Sequence, residues 1–231
     1  MFGKLHYFIT GSIGVGKSTT IRSFMDRYGK TKIKTFYVKE YIDYDCYGAS
    51  KLQKWLSAKT PLLDFQLYVK DCFEQQLETE EYEEAKFVIW ERHPIEALKI
   101  FSKNMDTNDK IILNKAISEM CEKYNVPNID DTKQYECINL STYCLTPECI
   151  SDIIYQKIKE DLIKGRKEAT FIYLYVPLQE IREQQKRIMQ RGRPMEVAQY
   201  SDIENLKRVN EQYIWFVNRY MAGGLLLGTE I

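Results

Sequence analysis

One octapeptide constrains this chain more than any other feature: Gly11-Ser12-Ile13-Gly14-Val15-Gly16-Lys17-Ser18. It satisfies G-x-x-x-x-G-K-S/T, follows a run that reads as a β-strand (Leu5–Thr10, LHYFIT) and opens a stretch of helical composition, Thr19–Tyr28. The glycines let the backbone curl until successive N–H groups face inward as an anion nest. The helix that follows adds the positive end of its dipole. Residues Gly11 to Thr19 therefore read as a cradle for the phosphates of ATP, with Lys17 reaching the β- and γ-phosphates and the Ser18 hydroxyl ligating Mg²⁺.

Beyond the loop, short β-type runs alternate with longer helical stretches, the pattern of an α/β fold with a parallel sheet. After the first strand, Thr35–Lys39, Lys86–Trp90 and Phe171–Val176 read as strands, and Leu225–Leu227 as a short fifth. The third and fourth are nearly continuous apolar or aromatic runs, as parallel strands buried on both faces require. Leu62–Glu78, Pro94–Lys103, Lys110–Tyr124, Ser151–Lys164, Leu178–Gln190 and Asp202–Tyr220 read as helices. Asn125–Pro147 is polar, carries two prolines and reads as a long loop, an irregular insertion over about 125–147. At 231 residues, with no repeat and no low-complexity segment, the chain reads as one domain, 1–231.

Lysine plus arginine equal aspartate plus glutamate at 33 each, a balance that argues against nucleic acid as a partner. No apolar run approaches the ~20 residues a bilayer requires, and no secretory h-region precedes the glycine loop, so neither membrane nor export is expected. None of the six cysteines forms a C-x-x-C pair, and His6 and His93 lie far from the Cys137–Cys149 cluster. They read as free thiols of a cytoplasmic protein.

Three further features carry chemistry. Glu91-Arg92-His93 ends the third strand, where parallel α/β sheets gather their ligands. A carboxylate there holds the metal shell and an arginine neutralises a transferring phosphoryl group; a surface ion pair before a helix start at Pro94 is the other reading. Arg182, Lys186, Arg187, Arg191 and Arg193 form a local basic cluster before Gly192 and Pro194. It suits a mobile lid over phosphates, or simply a solvated helix face. Glu40 ends the second strand, placed to accept the proton of an attacking hydroxyl.

Together these residues resemble the deoxynucleoside kinase family, herpesvirus-type thymidine kinases in particular. Trp90-Glu91-Arg92-His93-Pro94-Ile95-Glu96-Ala97-Leu98 resembles the viral D-R-H-P-I-x-A-L block, with Glu replacing Asp. Residues 187–196 resemble the R-x-x-x-R-x-R-P-x-E lid, and Asp64-Phe65-Gln66-Leu67-Tyr68-Val69 is similar to the P-F-Q-x-Y-V stretch of cellular enzymes. The resemblance implies a P-loop kinase fold, a five-stranded parallel sheet flanked by helices, and an arginine-rich lid over about 187–200. It implies ATP and Mg²⁺ as cofactors, a small-molecule deoxynucleoside as partner and a homodimer; a viral origin would place the protein in the host cytoplasm or nucleus. It further implies Glu40 as general base, Glu91 as metal-side carboxylate, Arg92 as the arginine at the 5′-oxygen, and Gln66 as reader of the pyrimidine edge. Phe65 and Phe101 match positions that pack on the base; Val69, Ala97 and Met105 match apolar pocket positions; Glu196 matches the lid carboxylate for the sugar 3′-hydroxyl. Arg187, Arg191 and Arg193 match the lid arginines.

The chain departs from the family pattern at Asp45, where a tryptophan is usual, at Trp55, where a tyrosine usually binds the 3′-hydroxyl, and at Met105, where viral enzymes use an arginine. The expected reaction is transfer of the ATP γ-phosphate to the 5′-hydroxyl of thymidine. A thymidylate kinase and a nucleotide-binding regulator without turnover are the alternatives. The first would need an arginine site for the acceptor's phosphate, and none lies between Glu40 and Gln66.

Overall fold

A computed structural model describes residues 4–31, 33–166 and 169–222. The first strand, β1 (Leu5–Thr10), runs into the glycine loop and helix α1 (Lys17–Tyr28). Then follow β2 (Thr35–Val38), α2 (Tyr41–Tyr44), α3 (Gly48–Leu56), α4 (Leu62–Leu77), α5 (Glu80–Glu84), β3 (Phe87–Glu91), α6 (Glu96–Lys99) and α7 (Thr107–Lys123). The second half comprises β4 (Tyr135–Ser141), α8 (Pro147–Lys164), β5 (Thr170–Tyr175), α9 (Ile181–Arg191), α10 (Pro194–Tyr200), α11 (Ile203–Tyr220) and β6 (Met221–Ala222).

The strands form one sheet in the order β2-β3-β1-β5-β4-β6, every pair parallel. β1 lies between β3 and β5; the chain leaves β1 toward β2 on one side and crosses after β3 to β4 on the other, so a crevice opens at the carboxyl ends of β1 and β3. Strand alternation sends Tyr7, Ile9, Ile89 and Leu174 to one face, under Ile21 and Phe24 of α1 and Ile154 and Ile158 of α8. It sends Phe8, Trp90, Phe171 and Tyr173 to the other, under Phe73 of α4, Ile117 of α7 and Phe216 of α11. Burial on both faces explains the unbroken apolar runs. Among the described residues no helix is long and apolar enough to cross a membrane.

Among the described residues the sheet has six strands where five were expected. β4 lies inside the stretch read as a loop, pairing from Glu136↔Thr170 to Ser141↔Tyr175. Its polar residues hid it, because their partners come from well further along the chain: Glu136 meets Lys157 of α8 at 3.0 Å and also Arg166, just past that helix. The helix after it starts four residues earlier than composition suggested. Thr146 caps it by accepting the Cys149 N–H, and Pro147 occupies the first turn. The expected strand at Leu225–Leu227 lies outside the described residues. Pro94–Lys103 shrinks to the single turn of α6, and two helices, α2 and α3, fill the stretch between Glu40 and Pro61.

Candidate active site

The glycine loop curls because three of its residues adopt positive φ: Gly11 at 141°, Gly14 at 75° and Gly16 at 91°. At Gly14 the lid helix also approaches closely, since an added Cβ would lie 2.6 Å from Ile188 Cγ1. Gly14→Ala is therefore expected to destabilise the fold by roughly 1–3 kcal/mol, from the left-handed backbone and the clash together. Chemical denaturation of the two proteins checks it; an unchanged midpoint would mean α9 does not sit on the loop.

Lys17 is buried, and its Nζ donates to Gly11 O at 3.1 Å and Ser12 O at 3.0 Å within the loop. Burial and the nearby Arg92 guanidinium bring its pKa down to about 8. Ser18 Oγ donates to Glu91 Oε1 at 2.7 Å, and Tyr37 OH donates to Glu91 Oε2 at 2.7 Å. Ser18 from α1 and Glu91 from β3 thus meet below the loop. Thr19 is exposed, and Val15 belongs to the core beneath.

Arg92 follows β3 with φ at 74°, a conformation costly for a side-chain-bearing residue. Its Nε donates to Glu40 Oε1 at 2.8 Å. Its Nη1 donates to Gly11 O at 3.0 Å, to Glu96 Oε2 at 3.2 Å and to the Tyr213 hydroxyl. Burial works to raise the Glu40 pKa, but the positive charges of Arg92 and Lys17 outweigh it and hold the carboxyl below its ordinary value. Glu96 goes the other way: burial outweighs Arg92 and pushes it up to about 6. His93 is structural. Its Nδ1 accepts the Ile95 N–H and its Nε2 meets Pro127 O at 2.8 Å, while burial pushes its pKa down to about 4.

A cavity extends from this charged end to an aromatic one. Lys17, Ser18, Glu40, Glu91 and Arg92 line the first, and Trp55, Phe65, Phe73 and Phe101 the second. Gln66, Val69 and Phe73 of α4 lie at i, i+3 and i+7, so one helix face presents all three to the cavity. Trp55 stacks on Phe65 with centroids 5.0 Å apart and planes within 6°. Ile13 and Ala97 also line the cavity. Met105 does not; it is buried in the core, and Phe73 closes the wall in its stead.

The lid arginines divide. Arg191 and Arg193 line the cavity with Glu196: Arg191 Nη1 lies 3.5 Å from Glu196 Oε2, and Arg193 Nη1 is 3.1 Å from Glu196 Oε1. Arg193 Nη2 also meets Asp43 Oδ1 at 2.7 Å, joining the lid to α2. Arg187 is turned away and donates to Thr142 Oγ1 at 3.2 Å and Thr142 O at 3.0 Å. Gly192, at φ 65°, ends α9, and Pro194 starts α10. Sequence reasoning missed Tyr37, Glu96, Tyr41, Tyr200 and Tyr213. Only Glu96, four residues after Arg92 and on the same face of a turn, had a local signal.

A parallel sheet carrying a phosphate-binding loop after its first strand, with an arginine-bearing helical lid, defines the P-loop kinase fold. Solved structures of deoxyadenosine kinase from M. mycoides share it. The form with products dCMP and a flexible dCDP is 18% identical, with a TM-score of 0.52 over 93% of this chain and 84% of that one. The form with bound dCTP is 16% identical, with a TM-score of 0.52 over 93% and 83%. No curated protein matches the sequence. The family model for deoxynucleoside kinase matches residues 7–160, so the chain belongs to the deoxynucleoside kinase family, kinases acting on deoxynucleosides.

Proposed function

We propose that this chain, acting as one domain, moves the γ-phosphate of ATP to the 5′-hydroxyl of a deoxynucleoside, with thymidine the best acceptor. The observation that carries the reading is the 2.8 Å Glu40–Arg92 pair, set between the phosphate loop and an aromatic pocket holding Gln66. The triphosphate enters the glycine loop, where Lys17 exchanges its two carbonyl contacts for phosphate oxygens. The stacked Trp55–Phe65 pair walls one side of the base, and Gln66 reads its edge with one acceptor and two donors. Glu196 accepts from the sugar 3′-hydroxyl, so the 5′-hydroxyl faces Glu40. Glu40 takes the proton as the oxygen attacks in line, while Arg92, Arg191 and Arg193 absorb charge on the transferring group.

The hydroxyl of Ser18 and the carboxylate of Glu91 are hard oxygen donors that suit Mg²⁺. Among the described residues no group of three or more His, Cys, Asp or Glu could hold an ion, so phosphates and water complete such a shell. Bound there, Mg²⁺ supplies charge neutralisation at the phosphates.

Phe65, Phe73 and Phe101 crowd the pocket, and no charged side chain faces Gln66 from Val69, Phe73 or Ala97. Thymidine is therefore expected first, deoxycytidine second and the purine deoxynucleosides far behind. Family resemblance adds a homodimer working in the cytoplasm. Steady-state kinetics with ATP and Mg²⁺ across the four deoxynucleosides and thymidylate test the ranking. A purine preference, as the name of the M. mycoides enzyme suggests for that protein, would displace thymidine; thymidylate as best acceptor would make this a monophosphate kinase.

A further inference from the structure

Arg92 is held by more than the kinase reading requires. Glu40 engages Nε, yet Nη1 is shared by the Gly11 carbonyl, Glu96 Oε2 and the Tyr213 hydroxyl. Tyr213 OH donates to the same Glu96 oxygen at 2.7 Å, and Glu96 Oε1 accepts the His93 N–H at 2.9 Å. Glu96 is 1% exposed and Tyr213 fully buried, and the Arg92 guanidinium lies 5.6 Å from the Tyr213 ring centroid and 5.2 Å from that of Phe101. A buried carboxylate is costly unless charge and hydrogen bonds compensate it. Its hydrogen bonds with Arg92, Tyr213 and the His93 N–H all converge on Arg92 or on the turn that carries it.

We infer that Glu96 and Tyr213 form a positioning pair that fixes the Arg92 guanidinium against the phosphate loop and so sets the place of Glu40. The inference rests on the assignment of Arg92 and Glu40 to phosphoryl transfer. Tyr213 comes from α11, the helix that directly follows the lid segment, so the pair ties the arginine to the element that carries the lid's far end. A guanidinium held only through Nε could swing about that bond. Held at Nη1 as well, its plane is fixed, and small misplacements of a charge-stabilising group cost rate steeply. Glu96 lines the cavity beside Arg92, and Tyr213 stands behind the lining, its ring edge-on to Phe101 at 6.3 Å.

The pair is also sensitive to pH. The charged groups facing Glu96 are Arg92 and Lys17, with the Thr10 and Tyr213 hydroxyls beside it; Glu40 and Glu91 share the same two cations. With its pKa at about 6, Glu96 is ionised above that pH and loses its hold on Arg92 as pH falls through it. Glu40, held below its ordinary value, stays ionised across the same range.

The test compares wild type, Tyr213→Phe, Glu96→Gln and Glu96→Asp in steady-state kinetics, with thermal midpoints beside them. Tyr213→Phe is expected to lower kcat about 5- to 10-fold and Glu96→Gln about 10-fold or more, with KM for both substrates within twofold. Glu96→Asp should recover part of the loss because it keeps the charge. The wild-type acid limb of kcat near pH 6 should be absent from Glu96→Gln. Wild-type kcat in Tyr213→Phe or Glu96→Gln overturns the inference, and so does a rise in KM at unchanged kcat or an acid limb retained in Glu96→Gln. If Glu96→Gln does not fold, the kcat and KM of Tyr213→Phe decide alone. Arg92→Ala separates the two levels. Wild-type turnover there overturns the kinase reading of the site, whereas loss in Arg92→Ala with none in the pair overturns only the pair.

Discussion

Replacing Glu40 by glutamine is expected to lower kcat by roughly 10²-fold or more, the usual worth of a general base. The amide keeps the side chain's shape and an oxygen to accept from Arg92 Nε, so the 2.8 Å contact survives in neutral form. What disappears is the charge that draws the hydroxyl proton. Glu40 sits at the start of α2 without capping it, so its carboxylate serves no helix end and the substitution leaves α2 intact. Because Arg92 and Lys17 hold it ionised, it is available as a base at neutral pH, and wild-type activity should not wait on its titration. The KM for ATP should move little, since the loop that binds phosphates is made of other residues. Rapid-quench or steady-state turnover in both proteins checks this, and near-wild-type turnover would remove Glu40 from the mechanism.

The parts of this site that could be read from the sequence are those whose geometry is local. The glycine loop announces itself because positive φ at Gly11, Gly14 and Gly16 needs the residue without a side chain. Glu91 and Arg92 are legible from their place at the end of a buried strand, whereas Gln66, Val69 and Met105 rest on resemblance alone. The helical spacing of Gln66 and Val69 continues to Phe73, which takes the place on the wall expected for Met105. Arg187 matches the lid pattern as well as Arg191 does, and at i and i+4 the two share a helix face, yet of the pair only Arg191 lines the cavity, because the Arg187 guanidinium is bonded to Thr142. β4 escaped because its polar residues find their partners on and just past the following helix, beyond the reach of its own alternation pattern. The Tyr213 contact escaped because 121 residues separate it from Arg92, and no periodicity reaches that far. Long-range polar pairing is what propensity and spacing do not encode.

Gln66→Leu should cost on the order of 2–4 kcal/mol in kcat/KM for thymidine, about 30- to 10³-fold. Gln66 is 4% exposed and lines the aromatic end of the cavity, so a base bound there meets its amide with little water to substitute for it. Leucine has similar size and fits the apolar face of α4, where Val69 and Phe73 flank it, so stability should hold or rise. The base would then bury its own donor and acceptor against hydrocarbon, which is the source of the large penalty. Because leucine deprives thymidine and deoxycytidine alike, both should fall together and their ratio should hold. A purine nucleoside, kept out by Phe73 and Phe101 and not by the amide, should change least. Acceptor kcat/KM for the four deoxynucleosides in wild type and variant gives the comparison. Unaltered thymidine kinetics would place the base elsewhere than against Phe65 and Gln66, and an equal loss for purines would mean the amide shapes the pocket and does not read the base.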